Sequence, residues 1–158
     1  MSEWRERPQV EATMLNPALL AVLLASAAHD YEKAKEKNER MPWPLGFLVL
    51  PLVLHRPTRI ELPKSTRTHL STWIRRHPLL RAGFPARAAA MVPLTREGIR
   101  FGLRAGVLDI DGSAMRGDET NQPAGELGQL IRAAALVGRW LATTDQPSTA
   151  FALLGVAP

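Results

Sequence analysis

Leu19, Leu20, Leu23, Leu24 and Ala27 recur at helical spacing behind Asn16-Pro17, a capping residue followed by proline at the first helical position. A helix is predicted to start there. The polar run from Glu32 to Arg40 predicts that it leaves the core near Lys37, as a solvated helix end and loop. The next block, PLGFLVLPLVL at 44–54, is apolar on every side and must be central in a core or covered by a partner. Pro44 can open a second helix and Pro51 would kink or end it, whereas a buried strand competes because periodicity alone does not separate the two. HRPTRIELP at 55–63 reads as an extended connector, since residues before proline avoid the helical region.

Farther along, Thr66 or Ser65 can cap a helix carrying Leu70, Trp73 and Ile74, ending before Pro78. Residues 79–92 read as two short helical pieces broken at Gly83 to Pro85. Thr95 is the expected cap of a helix from Arg96 to Ala105, with Gly106 as its left-handed stop. Val107, Leu108 and Ile110 then run into Asp111-Gly112, a hairpin turn signal, with a weak return strand near Ala114 to Arg116. Three helices followed by a hairpin is the order of a winged helix. After the polar loop 117–125, Leu127, Leu130, Ile131, Ala134 and Leu141 mark an amphipathic helix with Arg132 and Arg139 on other faces. The apolar tail PSTAFALLGVAP is expected to dock in a groove. The fold class is therefore mainly α, a helical domain with a winged-helix-like α/β-hairpin portion. Its parts are 1–54 (helical, with the apolar segment), 55–116 (basic, winged-helix-like) and 117–158 (helix and docked tail), expected to form one compact unit.

At 158 residues such a unit needs no staples, because a chain of this size buries roughly two thirds of its unfolded surface. With no cysteine, disulfides, thiolate metal sites and thiol nucleophiles are excluded. The charged start MSEWRERPQVEA has no apolar signal core, so a cytoplasmic protein is expected. The longest apolar stretches, 17–28 and 44–54, fall short of the ~20 residues that cross a bilayer, and no membrane association is expected.

Charge is unevenly placed. The net values are −1 over 1–54, +9 over 55–106 and −3 over 107–158, so the middle third holds all the excess. Such a segment suits an anionic partner, either nucleic acid or an acidic protein face. Arginine outnumbers lysine 16 to 4, so a codon bias that scatters arginines over solvent is the competing explanation.

Candidate chemistry is sparse. The chain has no phosphate-binding loop, no H-E-x-x-H, no G-x-S-x-G and no kinase-like set. His29, His55, His69 and His77 lack the spacing of local metal pairs, and His29-Asp30 sits where a helix emerges into solvent. Asp109-Ile110-Asp111-Gly112 resembles the start of a calcium loop, but Thr120 stands where the bidentate glutamate belongs. No cofactor, no metal and no catalytic activity are expected. The one constellation with a physical motive is Arg96, Arg100 and Arg104, spaced i, i+4, i+8 on one helix face, with Arg75, Arg76 and Arg87 as neighbours. In a winged helix that element approaches DNA. The bland alternative has these arginines solvated, paired with Glu97, or covering apolar surface with their stems.

The blocks LNPALLAVLL, MPWPLGFLVLPLVLHRPTRIELP, TREGIRFGLRAGVLDIDG, VGRWLA and TAFALLGVAP, in this order across nearly the whole chain, resemble the middle component of three-component ABC ATPase systems. The resemblance implies a bacterial accessory subunit encoded beside a coiled-coil, SMC-like ABC ATPase and beside an effector or third component, in Lamassu-type antiviral and anti-plasmid defence. It brings no catalytic residues with it. On this reading the chain is a non-enzymatic adaptor in a hetero-oligomer, with DNA as a further candidate partner. The alternative function is a free-standing winged-helix DNA-binding regulator.

Overall fold

The computed structural model describes residues 16–157. It is mainly helical with one small antiparallel sheet. Helix α1 (Pro17–Ala34) begins where Asn16 accepts a hydrogen bond from the Ala18 amide at 2.8 Å, and it fills the centre of the core. Leu20, Ala21 and every residue from Leu23 to Ala28 are buried, so this helix is enclosed nearly all round rather than along one stripe.

Strand β1 (Met41–Pro42) leads through a 3-10 turn (Trp43–Leu45) into helix α2 (Gly46–Leu54). The apolar 44–54 segment is thus a helix, not a strand, and Leu48, Val49, Leu50, Leu52 and Val53 are fully buried. Pro51 lies inside it and leaves the Phe47 carbonyl without its helical donor. The segment 55–63, expected as an extended connector, instead holds helix α3 (Arg56–Ile60). Pro57 falls in its first turn, where a missing N–H is harmless. Local side-chain bonds fix it there: Arg59 Nη1 donates to the Val53 carbonyl at 2.7 Å, and the buried Thr58 hydroxyl pairs with His55 Nδ1 at 2.7 Å.

Helix α4 (Leu70–Arg76) starts behind His69 rather than behind Ser65 or Thr66. Two indoles pin the loop before it. Trp73 Nε1 donates to the Glu61 carbonyl and Trp140 Nε1 to the Thr68 carbonyl, both at 2.7 Å, while the two rings meet edge to face at 5.5 Å. Helix α5 (Pro78–Ala90) is continuous, where Gly83 and Pro85 predict a break. Burial of Phe84 and Ala88 on either side of Pro85 outweighs the one backbone bond that Pro85 removes.

Helix α6 (Val92–Ala105) starts earlier than expected, with Pro93 in its first turn. Thr95 is therefore not a cap but a fully buried residue whose hydroxyl donates to the Met91 carbonyl at 3.0 Å. Gly106 ends the helix as anticipated: its φ of +78° lets its own amide reach Leu103 O and the Val107 amide reach Gly102 O. Strands β2 (Leu108–Asp111) and β3 (Ala114–Gly117) form the expected hairpin, pairing Asp109 with Arg116 and Ile110 with Met115. A contribution with no sequence signal is β1, which adds to β3 through Met41↔Met115 and gives the strand order β1-β3-β2.

Helix α7 (Glu126–Leu141) packs along α1, and helix α8 (Pro147–Leu154) buries Ala150, Phe151 and Leu154. In this last helix Ala150 and Leu154 are fully buried, while Leu153 is only partly so. One hydrophobic cluster takes in residues from Leu20 to Leu154. Among the described residues, no helix is long and apolar enough to cross a membrane.

Candidate partner-binding cleft

Helix α6 turns Thr95, Gly98, Ile99 and Gly102 inward and leaves Arg96, Arg100 and Arg104 exposed. Among the described residues none of the three has a carboxylate within ion-pairing distance. Glu97, the acid beside them, instead has a buried Oε2 with no hydrogen-bond partner among those residues. Two like charges one helical turn apart cost an isolated helix about 0.2–0.5 kcal/mol, so α6 carries a repulsion that an anionic partner would relieve.

The other arginines of the basic segment divide by what they touch. Arg75 and Arg76 are exposed in the last turn of α4, Arg75 donating weakly to its own helix at Thr72 Oγ1, 3.4 Å away. Arg87 is only partly accessible. Its Nη2 donates to the Leu80 carbonyl at 2.9 Å and reaches the Thr58 hydroxyl at 3.4 Å, and the guanidinium lies 5.9 Å from the Phe84 ring. Burial lowers the Arg87 pKa below its ordinary value. His55 is also lowered, first by burial and then by the positive charge of Arg87, so this corner disfavours further protonation. Arg59 is lowered as well, chiefly by burial, while Glu126 opposes the shift.

Arg96 and Arg100 are brought together with groups that the charge pattern does not reveal. They line an open cleft of about 780 Å³ whose walls include Trp43, Phe47, Ile99, Ile110 and Phe151; Arg104 does not line it. Each wall has a traceable cause. The Trp43 amide donates to the Ser113 carbonyl at 2.9 Å, continuing the β1–β3 pairing and holding the indole beside the hairpin. Trp43 meets Phe47 nearly edge-on, with centroids 6.1 Å apart and planes at 67°. At the far side, Gly155 closes α8 in the left-handed region at φ +74°, and the Val156 amide returns to the Phe151 carbonyl at 2.9 Å. Arg81 Nε ties that end to α5 by donating to the Leu153 carbonyl at 3.1 Å. The aromatic lining comes from segments far apart in the chain, and MPWP, with a tryptophan held between two prolines, was its one local signal.

The cleft has the chemistry of a docking surface: an apolar bed with a half-exposed Trp43, and two cations with no carboxylate partner among the described residues. Among the described residues, no group of three or more His, Cys, Asp or Glu side chains could hold a metal ion. A second apolar recess lies between the start of α1 and the start of α7, lined by Leu19, Val22, Leu127 and Leu130.

No curated protein and no solved structure matches this chain. A family model described as "ABC-three component (ABC-3C) system Middle Component 3" matches residues 4–158. Such a component has partners in a complex, which agrees with an open apolar cleft beside exposed arginines. The chain belongs to the Middle Component 3 family of ABC-three component systems.

Proposed function

We propose that this protein is a non-enzymatic adaptor that joins a coiled-coil, SMC-like ABC ATPase to an effector or third component, within a cytoplasmic complex that defends bacteria against phage and plasmids. The observation that carries the reading is the family match along residues 4–158. Support comes from the surface. Arg75, Arg76, Arg96, Arg100 and Arg104 are exposed, and an apolar cleft opens next to two of them. DNA is a further candidate partner of the same basic surface, because α4, α5 and α6 followed by the β2–β3 hairpin keep the element order of a winged helix.

The test is co-expression of the tagged chain with the products of its neighbouring genes, followed by size exclusion and an ATPase assay on each species. The expected result is co-elution with the ATPase, and no ATP turnover by the isolated chain above a tag-only preparation. Turnover by the isolated chain would remove the non-enzymatic reading. A chain that elutes alone yet binds duplex DNA would instead be a free-standing regulator. In that case, with three phosphates neutralised by Arg96, Arg100 and Arg104, log affinity should fall against log salt with a slope of about −2.7.

A further inference from the structure

We propose that the cleft between α6 and the Trp43–Phe47 turn seats a short acidic and apolar segment of a protein partner, its carboxylates held by Arg96 and Arg100. This rests on the reading of the chain as a subunit of a complex and goes beyond it by naming the surface and the chemistry of what binds there. Two properties of the cleft select the occupant together. The bed of Phe47, Ile99, Ile110 and Phe151 rewards aliphatic or aromatic side chains, which a fully solvated acidic loop does not offer. The lip carries cations four residues apart on one helix, about 6 Å along its axis, with no carboxylate of the described residues paired to either. Two acids one helical turn apart, or on alternate positions of a strand, match that spacing.

Nucleic acid fits this cleft less well. Trp43 and Phe47 are engaged with each other edge to face rather than presenting parallel faces between which a base could stack. A phosphate backbone gains nothing from the aliphatic wall, and a duplex laid along α6 would use Arg104 as readily as Arg96 and Arg100, although only the latter two line the cleft. The cleft therefore separates the three arginines of α6 into a pair with a defined role and a third without it.

The experiment uses the complex assembled with the neighbouring gene products. A photo-crosslinking benzoylphenylalanine replaces Trp43 and, in a second variant, Phe47. In parallel, R96E/R100E and R104E variants are compared for assembly, with circular dichroism confirming that each is folded. The expected crosslink joins the cleft to a partner component at a segment containing at least two Asp or Glu beside apolar residues. R96E/R100E should weaken assembly roughly tenfold or more, the scale of one lost charge-assisted contact, while R104E leaves it unchanged. Reversing the crosslinked segment's acids to arginine should restore assembly with R96E/R100E. A crosslink within the chain, to a second copy or to DNA overturns the proposal, as does normal assembly of folded R96E/R100E or an equal loss in R104E. If the unmodified chain assembles while these cleft results fail, the adaptor function stands and the cleft assignment falls. If the unmodified chain assembles with nothing, both fall.

Discussion

Replacing Leu50 by aspartate is expected to abolish soluble folding of the chain and, with it, assembly into any complex. Leu50 is fully buried in α2, which is packed between α1, α5, α6 and α7. Removing the leucine forfeits about 1.5–3 kcal/mol of apolar burial, and an unpaired carboxylate in its place adds about 3–5 kcal/mol. Together these approach the ~5–15 kcal/mol that stabilises an ordinary domain. Among the described residues the buried polar side chains are Ser26, Thr58 and Thr95, so no buried cation stands ready to rescue it. Leu50→Met conserves volume and should cost less than about 1.5 kcal/mol, which separates a charge effect from any sensitivity of the site to change. Soluble yield, far-ultraviolet circular dichroism and thermal melting read the outcome. A Leu50→Asp variant that melts like the parent would mean that 46–54 is not the centre of the core.

How much of this architecture the sequence discloses depends on whether the controlling interaction is local. Asn16-Pro17, Gly106 and Asp111-Gly112 act within a few residues, and the start of α1, the end of α6 and the hairpin all lie where they indicate. Proline is the residue whose local signal tertiary packing most often overrides here. Pro57 and Pro85 suggest breaks, yet one sits in a first helical turn and the other in a helix held by Phe84 and Ala88 on the core. Strand β1 is two residues long and has no alternation to detect; only its pairing with the distant Met115 and Ala114 defines it. The arginine stripe of α6 was legible from spacing alone. That Arg87 turns inward, and that Arg104 stands apart from the cleft, follows from side-chain packing and the meeting of the 43–47 turn with the 151–157 tail.

Gly138→Ala is the second substitution expected to have a large effect, although it adds a single methyl group and improves local helix propensity by about 1 kcal/mol. The reason is the closeness of α7 to α1. A Cβ at position 138 would press into the Ala27 carbonyl oxygen and come within 2.8 Å of the Ala27 Cα, and neither is a flexible side chain that could swing aside. Gly117 of β3 faces the same helix two residues earlier, where its Cβ would lie 2.6 Å from the Ala25 Cα, so α1 is closely approached by backbone from two elements. It cannot retreat from one without pressing on the other. Overpacking at such a contact typically costs about 1–3 kcal/mol, and two opposed backbones that cannot move apart put this site at the upper end. After the propensity gain, a net loss of about 2 kcal/mol should lower the melting temperature by roughly 4–8 °C for a chain of this length. The core around Trp140 and Ile131 should loosen with it, because α7 would be pushed off α1 along its length. Thermal melts of Gly138→Ala, Gly117→Ala and the double variant test this. Each single change should destabilise, and the pair should be non-additive because both displace α1. A Gly138→Ala protein that melts at or above the parent temperature would show that helix propensity prevails and that the α1–α7 approach has room for a side chain.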